Sequence, residues 1–229
     1  MNIIRVFIIE DQPAILKAQV KLLSVYPDIE IVGCAMSGEE GIKRLSQLTQ
    51  KPHVVLCDLG LPKMSGIEVT RHIKEMDSHI EVLIFTVFED EKNVLAAIQA
   101  GASGYLLKGA KAQKIYEALS DVYQGGTVIQ PSLARQLLKY FSMPLEGVPS
   151  LSQKQGPTRT TELGMVLSMR ELECLQIIAK GLNNTEAAQV LGISTTTIRT
   201  HLEHIYQKLD VNNRLEAVTE GIRQGIIHL

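Results

Sequence analysis

Short apolar runs and helical stripes alternate through the first 125 residues. Residues 3–9 are apolar and β-branched, which predicts a strand buried in a sheet. Leu16, Val20 and Leu23 then recur at i, i+4 and i+7, one face of a helix. The alternation repeats. Strands are expected at 31–35, 54–58, 82–86 and 105–107. Helices are expected on the stripes Ile42–Leu45, Val69–Ile73–Met76, Val94–Ala97–Ile98 and Ile115–Leu119–Val122. Ser37, with Glu40 three residues on, has the spacing of a capping box. Five such βα units predict a doubly wound parallel sheet covered on both faces, ended by Gly125-Gly126.

The pattern then changes twice. Leu133, Leu137, Leu138 and Phe141 suggest a short linker helix, and from Pro144 to about Gly164 the Pro-, Gly-, Ser-, Thr- and Gln-rich composition reads as a mobile tether. After that every stripe is helical. Ser168 and Glu171 predict a capping box before Leu172, Leu175 and Ala179, and Gly181 stops that helix. A short helix over 185–191 closes at Gly192. Ser194 caps a longer one carrying Ile198, Leu202, Ile205 and Leu209. Asn212-Asn213 breaks the chain before a last stripe of Leu215, Val218 and Ile222. The expected organisation is an α/β domain over 1–125, linker and tether over 126–164, and an all-α domain over 165–229.

Composition narrows the class. Among 229 residues, 45% hydrophobic and 21% charged is a globular balance, and a net charge of -2 announces no global affinity for nucleic acid. Cys34, Cys57 and Cys174 are far apart, which argues against a disulfide framework or zinc site and for a reducing compartment. Met1-Asn2-Ile3-Ile4-Arg5 does not open like a signal peptide, and no run approaches the ~18 apolar residues of a membrane span. A cytoplasmic chain without a membrane partner is expected.

Candidate chemistry lies at the strand ends, where parallel α/β sheets bind ligands. Glu10 and Asp11 follow the first strand, Asp58 the third, Thr86 the fourth and Lys108 the fifth. Any one of these alone is ordinarily a loop or surface residue; five in one rim form a constellation. Three neighbouring carboxylates repel unless a cation joins them, and an open set of hard oxygens suits Mg²⁺ or Mn²⁺. The metal set is then Glu10, Asp11 and Asp58. Asp58 is the candidate nucleophile for a phosphoryl group, with Lys108 supplying positive charge and Thr86 a hydroxyl.

Glu10-Asp11, Asp58 in CDLGLPKMSG, Thr86 in LIFT, and Tyr105 with Lys108 in GYLLK resemble the receiver domain of two-component signalling over residues 1 to about 125. The resemblance implies a sensor histidine kinase as phosphoryl donor, Thr86 and Tyr105 as a switch pair, and a homodimer on phosphorylation. Two departures stand out. Glu10 occupies a position where Asp is commoner, and Lys108 is followed by Gly109 rather than Pro.

In the all-α region, a short helix, a glycine turn and a longer helix match helix-turn-helix geometry. With Ile198, Leu202, Ile205 and Leu209 inward, Thr196, Arg199, Thr200 and Glu203 face out, side chains suited to phosphates and base edges of double-stranded DNA. The segment from about 165 resembles the LuxR-type DNA-binding domain, and the whole chain resembles the NarL/FixJ group of response regulators. Thr195 and Lys208 complete the candidate DNA contacts. One feature opposes this. From Ser168 onward six Lys and Arg face seven Asp and Glu, net -1, whereas phosphate neutralisation normally supplies much of DNA affinity. Weak monomer binding, rescued by dimerisation on two half-sites, is therefore expected. Glu203 either accepts from a cytosine amino group or pairs with Arg199 at i, i+4; the second is the favoured expectation. His201 and His204 lack a third ligand and read as surface histidines.

Competing readings fail on particular residues. Phosphatases with an Asp nucleophile typically need an acid/base carboxylate two residues later, where this chain has Gly60. A small-molecule sensor needs an apolar pocket rather than strand-end acids. A phosphorylation-independent receiver usually lacks Asp, Thr or Lys at positions that this chain fills. The expected function is transcription regulation switched by Mg²⁺-dependent phosphorylation of Asp58, without enzymatic turnover.

Overall fold

A computed structural model describes residues 3–129 and 167–228. The linker helix expected near 133–141 and the tether over 144–164 lie outside the described residues.

The first domain runs β1 (Ile4–Ile9), α1 (Pro13–Leu23), β2 (Ile29–Ala35), α2 (Gly38–Gln47), β3 (Val54–Cys57), α3 (Gly66–Met76), β4 (Glu81–Thr86), α4 (Glu91–Gln99), β5 (Gly104–Leu107), α5 (Ala112–Tyr123) and β6 (Val128–Ile129). Every strand pairing is parallel and the order is β2-β1-β3-β4-β5-β6. The five-stranded expectation is corrected. Gly125 and Gly126 end α5, but the chain turns back to add a sixth strand beside β5. Two residues after a glycine pair carry too little periodicity to be read as a strand.

Alternation along each strand builds two cores. Phe7, Ile9, Val55, Cys57, Val82, Ile84 and Tyr105 face α2, α3 and α4. Val6, Ile8, Leu56, Leu83, Phe85 and Leu106 face α1 and α5. Because both faces are covered, polar side chains of the central strands collect at the strand ends. The β1/β3 junction, where the strand order reverses, is where a ligand crevice belongs. Ser37 accepts from Glu40 N, but the Glu40 carboxylate reaches Met36 N rather than closing the expected box on Ser37.

The second domain runs α6 (Met169–Ala179), α7 (Asn184–Leu191), α8 (Thr195–Leu209) and α9 (Arg214–Arg223). Ser168 and Glu171 form the capping box at α6. Gly192 ends α7 at φ +65°, a left-handed conformation that glycine adopts without a Cβ clash. Cys174, Leu175, Ile178, Ala187, Ile198, Leu202, Ile205, Leu209 and Ala217 make the core. The expected face of the last helix is corrected: Ala217 and Gly221 point inward, Ile222 is exposed, and Leu215 packs against the first domain.

Candidate functional site

The strand ends place the pocket residues together. Glu10 is the first residue past β1, Asp58 the first past β3 and Lys108 the first past β5; Thr86 closes β4. Asp58 is buried, its Oδ1 accepting from Leu59 N at 2.7 Å and its Oδ2 from Lys108 Nζ at 2.9 Å. Lys108 also donates to Glu10 Oε1 at 3.0 Å and lies 2.7 Å from Oε2. Burial opposes the Lys108 charge, yet its hydrogen bonds to Asp58 and Glu10 outweigh that and hold its pKa above the ordinary lysine value. Burial pushes the Glu10 carboxyl up, against the pull of Lys108.

The loop after β3 is shaped by close approach. A Cβ on Gly66 would lie 2.2 Å from the Asp58 carbonyl oxygen, so only glycine lets α3 start there. Ser65 and Glu68 then cap α3 reciprocally. Gly109 holds φ +99° just after Lys108, a conformation that proline, with φ fixed at about −65°, could not adopt.

The carboxylates of Glu10, Asp11 and Asp58 each offer an oxygen within 4.8 Å of the others. Asp11 Oδ1 is buried without a hydrogen-bond partner among the described residues. A clustered all-oxygen set with an orphaned carboxylate oxygen fits a hard divalent cation. Thr86 is fully buried, and its hydroxyl accepts a long 3.5 Å bond from Phe88 N. Tyr105 lies fully inward and donates to the Phe88 carbonyl at 2.8 Å. Both candidate switch residues thus converge on Phe88.

The helix-turn-helix residues are not all alike. Thr195, Thr196, Arg199 and Thr200 are exposed on the first turns of α8. Lys208 instead pairs with buried Glu171 at 2.7 Å inside its own domain. Burial alone would raise the Glu171 carboxyl, but Lys208 and the Ser168 cap hold it down at about 2. Glu203 does not pair with Arg199. Its carboxylate lies 3.1 Å from His79 Nδ1 of the first domain. Arg199 reaches across as well, donating to Tyr123 O at 3.2 Å with its guanidinium 5.9 Å from the Tyr123 ring centre.

No local pattern in the sequence marks these crossings. Asn212 and Asn213, read only as a break, donate to the α4 carbonyls of Gln99 (3.4 Å) and Ile98 (2.6 Å). Arg214 donates to Gly125 O at 2.9 Å, and Asn184 N to Gln124 O at 3.0 Å. The α8 face carrying Arg199 and Glu203 is therefore turned toward the first domain.

Two family models match the chain: the response regulator receiver domain over residues 6–120 and the bacterial regulatory proteins of the luxR family over 165–220. Similar curated proteins include the transcriptional regulatory protein DegU of Brevibacillus brevis, 30% identical over 98% of this chain and 95% of its own. The response regulator protein VraR of Staphylococcus aureus is 32% identical over 98% and 99%. Among solved structures, response regulator ChrA of a heme-sensing two-component system covers 99% of this chain and 100% of its own, at 34% identity and TM-score 0.50. A structure of RcsB dimers bound to DNA shares the fold at 24% identity and TM-score 0.54, covering 96% and 98%.

Proposed function

This chain belongs to the response regulators that join a receiver domain to a LuxR-type DNA-binding domain, a family of transcription regulators, and from that premise we propose that Asp58 is its phosphoacceptor and that phosphorylation frees α8 for DNA. The observation that carries the reading is the triad at the strand ends, in which Lys108 joins the buried carboxylates of Asp58 and Glu10. A sensor histidine kinase is the donor: an Asp58 carboxylate oxygen bonds to phosphorus as the P–N bond of the donor breaks, leaving an acyl phosphate. Receiver domains generally bind Mg²⁺ at such an acidic pocket, and Glu10, Asp11 and Asp58 would hold it here. Bound there, the ion neutralises charge on the incoming phosphoryl oxygens.

Lys108 then exchanges Asp58 Oδ2 for a phosphoryl oxygen, and the Thr86 hydroxyl turns from Phe88 N toward the same group. Since Tyr105 is tied to Phe88 O, the β4–α4 loop responds to both residues. That loop leads into α4, whose last carbonyls accept from Asn212 and Asn213. Moving α4 loosens those bonds, and with them the contacts of Arg199 and Glu203. Arg199, Thr195, Thr196 and Thr200 then meet DNA, with Glu203 available for a base edge. Lys208 is withdrawn from that set because it neutralises Glu171. A homodimer offsets the weak electrostatics of a domain with net charge -1. Gly60 leaves the pocket without an acid/base carboxylate two residues after Asp58, so the acyl phosphate is a signal rather than a turnover intermediate. A cytoplasmic location fits this role, and no helix among the described residues is long and apolar enough to cross a membrane.

The test compares wild type with Asp58→Asn, each with and without acetyl phosphate and Mg²⁺. Wild type should gain the phosphoryl mass, dimerise and bind DNA more tightly; D58N should do none of these. Equal DNA affinity of the two proteins under phosphorylating conditions would overturn the reading.

A further inference from the structure

Glu10 is held by more than Lys108. Its Oε1 also accepts from Gln12 N at 3.4 Å, and its Oε2 from Gln19 Nε2 at 3.1 Å. Gln19 is the unusual partner. It lies on α1 at 6% exposure, three residues after Leu16 and four before Leu23, inside the stripe that faces the sheet. A primary amide at that position does nothing for an apolar core, and its own Oε1 is buried without a partner among the described residues. Turning the amide over would set its carbonyl against the Glu10 carboxylate, acceptor against acceptor, so the donor face must point at Glu10. Buried polar groups ordinarily occur where they are needed to bond another. Among the described residues, the only hydrogen bond of the side chain goes to the pocket.

A glutamate at this rim has one more rotatable bond than an aspartate and so more freedom to lose when it is fixed. Gln19 removes part of that freedom by holding Oε2, the oxygen that Lys108 also approaches at 2.7 Å. We propose that Gln19 is a positioning residue of the phosphoacceptor pocket, holding Glu10 so that its carboxylate serves the divalent cation while Lys108 spans Glu10 and Asp58. The proposal rests on the reading of the pocket as an Mg²⁺-dependent phosphoacceptor. Residues that orient metal-site carboxylates typically change metal affinity about 10- to 100-fold when replaced. With one bond to one carboxylate, the lower end of that range is expected.

Two readouts test it on the full chain without any phosphoryl donor: Mg²⁺ affinity by calorimetry and Mn²⁺ affinity by electron paramagnetic resonance. Thermal midpoints are recorded alongside. Gln19→Met keeps length and volume but no donor, and should weaken both metals about tenfold without lowering the midpoint. In a Glu10→Gln background the same change should shift affinity less than about twofold, because the coupling runs through the carboxylate. Gln19→Leu, carried through the same cycle in parallel, covers a failure of Q19M to fold. Wild-type affinity in both single variants, or an equal loss in both backgrounds, overturns the proposal. If Q19M matches a wild type that binds Mg²⁺ and is phosphorylated on Asp58, the positioning role alone falls. A wild type that binds neither metal overturns the pocket reading together with it.

Discussion

The pocket at the strand ends and the exposed face of α8 hold charge in opposite ways. In the pocket, Asp58, Glu10 and Lys108 come from three strand ends of one domain, and the two buried carboxylates share one half-buried lysine. On α8, Arg199 and Glu203 stay partly open to solvent and, among the described residues, find partners only across the domain boundary, in Tyr123 and His79. A buried internal set is costly to disturb, because removing one member strands the others in low dielectric. A surface set facing another domain can exchange its partners for a ligand at modest cost. The contrast suits a device whose input geometry is preorganised and whose output surface is conditional.

The largest expected effect comes from breaking the pocket. Lys108→Met leaves Glu10 and Asp58 uncompensated, and loss of one member of a buried pair costs about 3–5 kcal/mol. Urea unfolding without divalent ions should show a loss near the lower end of that range, partly restored by millimolar Mg²⁺, together with loss of the response to acetyl phosphate. A variant as stable as wild type in metal-free buffer would mean that Lys108 does not offset the two carboxylates, and the contrast with α8 would disappear.

The same contrast explains what was legible in the sequence. A polar residue ending an apolar run is visible at Glu10, Asp58, Thr86 and Lys108, because strand geometry alone decides where it goes. The box at Ser168 and the turn at Gly192 are local and equally visible. Partners chosen by tertiary packing are not. Glu203 looked set for Arg199 four residues away, but each found a group in the receiver. Lys208, expected among the DNA contacts, neutralises an acid thirty-seven residues earlier. Leu215 looked like core of its own domain and packs against the other. Gln19 was passed over because helical spacing says where a side chain points, not whether a carboxylate waits there.

A smaller effect sharpens the output half. Asn213 has two separable jobs: its Oδ1 caps α9 by accepting from Glu216 N at 2.9 Å, and its Nδ2 donates to Ile98 O at 2.6 Å. Asn213→Asp keeps the cap, since Asp is as good an N-cap as Asn, but replaces the donor with an acceptor against a carbonyl. Loss of one buried bond, with an acceptor left facing an acceptor, is worth about 1–3 kcal/mol. If the closed arrangement restrains α8, unphosphorylated N213D should bind DNA about tenfold more tightly than wild type, with unchanged helix content by circular dichroism. Unchanged affinity would mean that the α4 contact does not restrain DNA binding.

The smallest effect reads the boundary itself. Burial, then Arg5, then Arg199 lower the His53 pKa from 6.5 to about 4. Its Nδ1 accepts from Arg5 N at 3.1 Å, so the neutral ring carries its proton on Nε2. A histidine whose folded pKa is depressed contributes stability above its unfolded value, and that contribution is lost as pH falls from about 6.5 toward 4. Of the two charges, Arg199 is the one supplied by the other domain. Arg199→Ala should therefore raise the His53 pKa modestly, leaving burial and Arg5 to keep it below 6.5. Phosphorylation of wild type should move it the same way if α8 departs, and phosphorylation of R199A should add little. Ring-proton NMR titration separates the cases. A His53 pKa that rises in R199A but stays fixed in the phosphorylated wild type would place Arg199 against the receiver in both states, and the switch would then have to act without opening this face.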